Sequence, residues 1–161
     1  MKRLFFILFI AFLSVVTTSA AIVKSYQLTS PDGRLRVTVS AGDGLSYTLE
    51  HDGDMLLDKS PISMFMTDGT VFGGVQPVKK VSRRSVDQNI SPVIYKKSVV
   101  RDNFNEVTLN FKMFSLVFRA YDDGMAYRFV SHLKESYEVE MEFAGFNFTE
   151  NWNMWTAYVC Q

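Results

Sequence analysis

Cysteine and histidine are scarce in this sequence. Among 161 residues there is a single cysteine, Cys160, and there are two histidines, His51 and His132. A lone thiol cannot form an internal disulfide bond, so the core must come from ordinary burial of apolar side chains. The two histidines lie far apart, with no metal-ligand spacing and no serine nucleophile motif beside them, which argues against a histidine-based catalytic site.

An excess of one charge sign is also missing. The chain has 17 basic and 17 acidic residues, and loss of Lys2 and Arg3 with an N-terminal leader would leave it slightly acidic. Nucleic-acid-binding domains carry a clustered excess of Lys and Arg. The basic pairs at 79–80, 83–84 and 96–97 are better explained as solvated strand faces, so the sequence predicts no nucleic-acid partner.

Long apolar runs are confined to the N-terminus. Met1-Lys2-Arg3 precedes an almost entirely apolar stretch at 4–16, and small residues follow, with cleavage expected after Ala20 or Ala21. This order is typical of a secretory signal peptide, and an apolar run of about 13 residues is short for a transmembrane helix. We expect residues 1–20 to be a signal peptide, residues 21–161 to be exported, and no membrane contact after cleavage. A buried N-terminal helix or strand is the alternative.

The remaining sequence contains no convincing helical pattern. Apolar and polar residues alternate in short runs that are separated by Gly, Asp and Asn, which is typical of strands and turns. The predicted extended segments are 34–41, 45–50, 55–58, 62–66, 75–86, 93–100, 106–113, 116–130 and 137–148, with a loop at 87–91. Strands at this spacing, each with one apolar face, predict an all-β fold, an antiparallel β-sandwich.

The stretch at 116–130 is the most informative. It consists of two alternating runs joined at Asp122-Asp123-Gly124, the composition of a β-hairpin. We expect Asp122 and Asp123 to bond nearby backbone N–H groups while Gly124 takes a positive φ. A ligand-facing loop is the alternative interpretation of the two aspartates.

Three segments carry a resemblance to a known family. They are Leu-Thr-Ser-Pro-Asp-Gly-Arg-Leu at 28–35, Phe-Arg-Ala-Tyr-Asp-Asp-Gly-Met-Ala-Tyr-Arg-Phe at 118–129 and Met-Glu-Phe-Ala-Gly-Phe-Asn-Phe at 141–148. Together they resemble the N-terminal domain of glycoside hydrolase family 97, the bacterial α-glucosidases and α-galactosidases typified by SusB-like enzymes. The resemblance implies an incomplete galactose-mutarotase-like super-sandwich over residues 21–161.

Members of this family carry their catalytic carboxylates on a (β/α)8 barrel. A barrel needs about 250 residues, so the resemblance implies a C-terminally truncated protein that has no catalytic residue of its own and is inactive alone. Its expected role is to pack on the barrel and to help shape a calcium-containing site for an α-linked oligosaccharide, in the periplasm of a Gram-negative host. A stand-alone carbohydrate-binding or protein-interaction sandwich is the alternative. The choice between glucosides and galactosides, and between retention and inversion, stays open.

Three glutamates alternate along the last predicted strand. Glu138, Glu140 and Glu142 would share one face, which predicts a solvent-facing row with Tyr137, Val139, Met141 and Phe143 pointing inward. Glu142 also falls on the family's Glu-x-x-x-Phe-x-Phe position, and the resemblance implies that it contributes to the calcium site. Calcium takes six to eight oxygen ligands, so one glutamate does not make a site without the barrel.

Two aromatic residues near the end of the chain are candidate sugar contacts. Trp152 and Trp155 could stack on a sugar ring, because an aromatic face suits the apolar C–H groups of a sugar. Packing in the core or between domains is the alternative. Arg119 and Arg128 lie close across the predicted hairpin, and a structural role in bonding carboxylates is favoured for both.

Overall fold

The computed structural model describes residues 22–151 and 153. The expected signal peptide at 1–20 and the two candidate sugar-binding residues, Trp152 and Trp155, lie outside the described residues. Every regular element in the described part is a β-strand, and none of the described residues belongs to a helix that could cross a membrane.

Two antiparallel sheets form the fold, which confirms the predicted β-sandwich. The first sheet contains β1 (Lys24–Thr29), β2 (Leu35–Ala41), β3 (Leu45–His51), β4 (Asp54–Met66), β5 (Val71–Phe72), β10 (Val139–Ala144) and β11 (Asn147–Phe148). The second sheet contains β6 (Lys80–Ile90), β7 (Val100–Asn110), β8 (Phe114–Tyr121) and β9 (Gly124–Ser131). The first is ordered β1-β2-β3-β4-β10, with β5 and β11 also paired to β4, and the second is ordered β6-β7-β8-β9.

Period-two alternation explains the strands that bury one face. In β2, Leu35, Val37 and Val39 are buried while the residues between them are exposed or partly exposed. The β3–β4 turn is equally local in origin, since Asp52 and Gly53 both take positive φ, at 52° and 93°. These hairpins follow from neighbouring residues alone.

The core lies between the two sheets and is rich in aromatic rings. Tyr47 on β3 packs against Phe118 on β8, with ring centroids 5.7 Å apart, and against Tyr127 on β9 at 6.1 Å. Phe72 on β5 stacks on Phe114 of β8 at 4.6 Å. Phe72 also lies 6.3 Å from Phe129 on β9, so β9 packs against both β3 and β5.

The segment predicted as two strands, 55–58 and 62–66, is one strand, β4. Pro61 lies inside it, between the two predicted segments, and the pairing with β3 shifts register between Leu49 and Tyr47. The first part of β4, through Pro61, pairs with β3, and its last part pairs with β5 and β10. Proline has no N–H to donate to a neighbouring strand, but the Pro61 carbonyl accepts a hydrogen bond from Gly145 N at 2.8 Å.

The predictions between 75 and 100 are partly wrong. Strand β6 starts at Lys80 and continues through the expected loop at 87–91 as far as Ile90, which pairs with Val100. Residues 91–99, predicted as a strand from 93 onward, connect β6 to β7, and Val93 in this connection is 99% exposed. Their β-branched residues are typical of a strand, but no strand in the described part of the chain pairs with them.

The hairpin at 116–130 is confirmed as β8 and β9, with a different turn from the one predicted. Tyr121 pairs directly with Gly124, so the loop consists of Asp122 and Asp123 alone. Gly124 is the first residue of β9, and neither it nor the two aspartates has a positive φ. The expectation of a positive φ at Gly124 is therefore wrong.

Candidate functional site

Glu142 lies at the open margin of the sandwich, on the face of β10 that points toward the second sheet. Opposed residues of antiparallel strands share a face, and Glu142 is opposite Met64, which packs against the core. A register shift between Val139 and Met141 places a bulge at Glu140. The bulge reverses the alternation of β10 from that point onward.

The predicted facing of this strand is therefore wrong beyond the bulge. Val139 is opposite the buried Met66 and faces inward as predicted, but Met141 and Phe143 are opposite Phe65 and Ser63 and face outward. An extra residue in one strand moves the side chains that follow it to the opposite face of the sheet. The sequence pattern of β10 alone does not reveal this bulge.

Tyr127 on β9 is the polar neighbour of Glu142 across the opening. Burial, then the charge of Glu142 and then that of Tyr47, raise the pKa of Tyr127 to about 12. Tyr127 therefore keeps its proton at neutral pH and remains a hydrogen-bond donor beside the Glu142 carboxylate. This arrangement suits an oxygen-rich ligand, because it offers one carboxylate and one phenol to a cation or to hydroxyl groups.

Tyr47 holds the end of β10 from the core side. Its hydroxyl donates a hydrogen bond to the carbonyl oxygen of Gly145 at 3.1 Å, and burial raises the pKa of Tyr47. Gly145 in turn donates its N–H to the Pro61 carbonyl at 2.8 Å. These two bonds hold the β10–β11 connection against β3 and β4 and help to fix the position of the strand that carries Glu142.

We expect Gly145→Ala to lower the free energy of unfolding by about 1–3 kcal/mol, the usual range for overpacking. A Cβ atom at Gly145 would lie 2.7 Å from the backbone oxygen of Pro61 and 2.8 Å from its Cδ, so the backbone itself must shift. Urea unfolding of the purified chain measures the loss. Gly74→Ala is the matched control, since its Cβ would meet nothing within 4 Å; equal losses in both variants would contradict the explanation.

The described residues contain no complete metal centre. No group of three or more His, Cys, Asp or Glu side chains comes together in residues 22–151 and 153. Glu138 and Glu140 are exposed and do not join Glu142 in such a group. Glu142 can supply only part of a calcium site, because calcium takes six to eight oxygen ligands.

The two histidines have separate local partners. His132 Nε2 lies 2.8 Å from Ser115 Oγ, and His51 Nδ1 lies 3.5 Å from a carboxylate oxygen of Asp52. Among the described residues, neither histidine belongs to a group of three or more potential metal ligands. The expectation that no histidine-based site exists remains a prediction.

Asp122, in the turn between β8 and β9, links that turn to the one between β1 and β2. Its carboxylate accepts a hydrogen bond from the backbone N–H of Asp32 at 2.9 Å. Asp32 belongs to the turn between β1 and β2, where its own carboxylate accepts from Ser30 Oγ and Arg34 N. Hydrogen bonds from Ser30 and Arg34 hold the pKa of Asp32 below its usual value. The motif at 118–129 thus ties the two sheets together at one end of the sandwich.

Glu106 is a buried carboxylate that the sequence did not single out. It accepts from Arg84 Nε at 2.6 Å and Nη2 at 2.9 Å, and from Arg119 Nε at 2.8 Å. The guanidinium of Arg119 also lies 4.2 Å from the ring centroid of Phe104. Hydrogen bonding by Arg84, and then by Arg119, lowers the pKa of Glu106 despite its burial. The structural role expected for Arg119 agrees with these contacts, and Glu106 could have been suspected as its strand partner.

A cavity of about 330 Å³ opens where the edge of β1 meets β6 and β7. Its polar lining groups already have partners within the protein. Arg83 donates to the Gln27 carbonyl at 2.6 Å, and Asn105 Nδ2 donates to the Thr29 carbonyl at 2.9 Å. The cavity is a seam between the two sheets and adds no candidate to the site around Glu142.

Comparison with known proteins identifies the family. The family model described as glycosyl-hydrolase 97 N-terminal matches residues 28–160. The chain is 38% identical over 160 residues to a retaining α-galactosidase from Bacteroides thetaiotaomicron, covering 99% of this chain and 24% of that protein. The chain therefore spans about a quarter of the length of this curated relative.

Solved structures have the same fold. A glycoside hydrolase family 97 enzyme from Pseudoalteromonas sp. strain K8, determined with acarbose, superposes with a TM-score of 0.67 at 20% identity, covering 77% of this chain and 20% of that one. A β-arabinopyranosidase superposes with a TM-score of 0.70 at 24% identity, covering 79% and 22%. The sandwich, the matched motifs and the family model agree: this chain belongs to glycoside hydrolase family 97 and corresponds to the N-terminal domain of its enzymes.

Proposed function

We propose that this domain serves an exported α-glycosidase by packing on a catalytic (β/α)8 barrel and by closing one side of its sugar pocket. The observation that carries the proposal is the match of 99% of this chain to 24% of a retaining α-galactosidase. A barrel needs about 250 residues, and the described residues form only a sandwich. The bond-breaking groups therefore belong to another part of the enzyme, and this chain alone does not hydrolyse glycosides.

The proposed substrate class is an α-linked oligosaccharide. The relative of 38% identity is named for α-galactosidase activity, which makes an α-galactoside the first substrate to test. Export follows from the basic, apolar and small-residue order of residues 1–20, which fits a signal peptide and a periplasmic destination. An enzyme of oligosaccharide breakdown in that compartment meets its substrate before import.

Glu142 is the proposed contribution of this domain to a calcium-containing sugar site. Its position supports the proposal, since the carboxylate is exposed at the margin of the sandwich and has a protonated phenol, Tyr127, beside it. Calcium would there supply a hard positive charge that binds oxygen ligands. The role of this chain is to present Glu142 on a strand whose position is fixed through Gly145.

A fusion enzyme tests the proposal. Residues 22–161 are joined to the part of the Bacteroides α-galactosidase that follows its matched region, and hydrolysis of a chromogenic α-galactoside is followed at increasing calcium concentrations. We expect hydrolysis by the fusion and none by this chain alone. Glu142→Gln should raise the calcium concentration needed for half-maximal activity by at least about tenfold, because one anionic ligand is lost.

Glu140→Gln is the matched control for this substitution. Glu140 is an exposed glutamate of the same strand and occupies the bulge, so its calcium dependence should equal that of the unmodified fusion. The same calcium requirement in the Glu142 and Glu140 variants would remove Glu142 from the site. An inactive fusion that folds would contradict the proposed role of the domain.

A further inference from the structure

The hairpin formed by β6 and β7 projects beyond the rest of the second sheet. Strand β8 pairs with β7 only from Asn105 to Asn110. The ladder between β6 and β7 continues past β8 for five further residue pairs, and it ends where Ile90 pairs with Val100. At 3.4 Å per residue, the end of the hairpin lies roughly 17 Å beyond the last pair with β8. The connection at 91–99, which we call the tip, is therefore held away from the sandwich.

The tip carries a group of apolar side chains that the described part of the protein does not cover. Val93 is 99% exposed, Ile94 is 94% exposed and Tyr95 is 59% exposed. Val99 and Ile90, at the base of the tip, are exposed as well. Single exposed apolar side chains are ordinary on protein surfaces, whereas adjacent ones mark a site of interaction. The tip is therefore the part of this hairpin that gains most from leaving water.

Two lysines are the only charged residues of the tip. Lys96 and Lys97 are exposed and directly follow the apolar group. The acidic side chains of the strands that lead to the tip, Asp87 and Asp102, accept hydrogen bonds from other side chains of the same two strands. Within the described residues, no ion pair includes either lysine. The tip thus presents two positive charges to whatever it contacts.

The combination of apolar side chains and lysines favours a lipid surface over a protein partner. Lysine is depleted in protein–protein interfaces relative to the rest of the surface. At a bilayer, apolar side chains enter the boundary between headgroups and acyl chains, while long lysine stems keep the ammonium groups at anionic headgroups. Tyrosine is enriched at the same depth, because its ring is apolar and its hydroxyl is polar. Tyr95 lies in the sequence between the apolar pair and the two lysines.

We infer that the tip of the β6–β7 hairpin is a peripheral membrane contact for anionic phospholipid. Val93, Ile94 and Tyr95 enter the interface of the bilayer, and Lys96 and Lys97 bind its phosphate headgroups. So few side chains give reversible binding and not permanent anchoring. The expectation of no membrane contact came from the short apolar run at the N-terminus, which bears on spanning a membrane and not on binding to its surface. The inference does not depend on the sugar site.

Sedimentation with lipid vesicles tests the inference on purified residues 21–161. One set of vesicles contains equal parts of phosphatidylglycerol and phosphatidylethanolamine, and the reference set contains phosphatidylcholine alone. We expect at least about tenfold tighter binding to the anionic vesicles, because each lysine near an anionic surface adds to the affinity. The difference should shrink as salt is raised, since salt screens exposed charges. Equal binding to both sets, or binding to neither, would contradict the inference.

Two pairs of matched variants locate the contact. Ile94→Asp should weaken binding to the anionic vesicles at least about tenfold, whereas Val75→Asp should have little effect, since Val75 is 69% exposed in the connection between β5 and β6. Replacing both tip lysines by glutamate should abolish the preference for anionic lipid. The same double replacement at 79–80, at the opposite end of β6, changes the net charge equally and should preserve it. Equal losses within either pair would mean that the tip is not the contact.

The fusion enzyme separates a membrane contact from a contact within the enzyme. If the tip faces a membrane in the assembled protein, the fusion should bind anionic vesicles as tightly as residues 21–161 do, and Ile94→Asp should weaken both equally. If residues 21–161 bind but an active fusion does not, the remainder of the enzyme covers the tip. That result would overturn the inference and leave the proposed function intact.

Discussion

Phe114→Ala is expected to lower the free energy of unfolding by about 3–5 kcal/mol, the range for truncating a fully buried phenylalanine. Phe114 is 0% exposed and lies between two stacked rings, Phe72 at 4.6 Å and Phe111 at 4.5 Å, with Phe129 edge-on at 5.7 Å. Truncation removes three aromatic contacts and leaves a cavity in the core, and the cavity adds to the cost of the lost burial.

The loss should be larger than for an ordinary core side chain because Phe114 joins distant parts of the chain. Strand β5 has only two residues, and its Phe72 reaches the second sheet through this ring. Urea unfolding of the purified chain, followed by tryptophan or far-ultraviolet signals, measures the change. Phe143→Ala on β10 is the control, since Phe143 is exposed on the outer face. A comparable loss in both variants would show that burial does not explain the effect.

The sequence predicts best the strands whose one face is buried. In β2 the apolar positions recur every second residue, and the structure buries them against the opposite sheet. Residues 93–99 have the same β-branched composition but pair with no strand in the described part of the chain. Composition indicates how well a residue fits a sheet, whereas strand pairing depends on residues far along the chain. The sequence around residue 93 therefore could not show that this segment is not a strand.

The candidate site illustrates the same limit. Glu142 was found through a motif, but its direction depends on the bulge at Glu140, and Tyr127 becomes its neighbour only when β9 packs against the first sheet. Glu106 was missed because a glutamate in an alternating strand indicates a solvent-facing position. Its burial results from Arg84 and Arg119, which come from the strands on either side.

The second large effect concerns this buried carboxylate. We expect Glu106→Ala to lower the free energy of unfolding by about 2–4 kcal/mol at neutral pH, somewhat below the range for a fully buried pair because Arg84 is half exposed. The Glu106 side chain is only 8% exposed, and it is the acceptor for both arginines. Its removal leaves two guanidinium groups side by side above Phe104 with no shared counter-charge.

The pH dependence separates the charge of Glu106 from its packing. Because Arg84 and Arg119 lower its pKa from the ordinary 4.5, the folded protein holds this proton less tightly than the unfolded chain. The stabilisation is therefore complete above about pH 4.5 and is lost as the pH falls through the lower folded value. Glu106→Gln keeps the shape of the side chain and removes this contribution.

The difference in unfolding free energy between the unmodified chain and Glu106→Gln should accordingly be constant from about pH 7 to pH 5 and shrink toward about pH 3. Asp32, Asp52 and Asp87 also have lowered pKa values, but they are exposed and present in both proteins, so their contributions cancel in the difference. Urea unfolding across this pH range measures it. If the difference in unfolding free energy stays constant down to about pH 3, the charge of Glu106 does not contribute to its stabilising effect. If the difference shrinks, the charge of Glu106 is what links β6, β7 and β8.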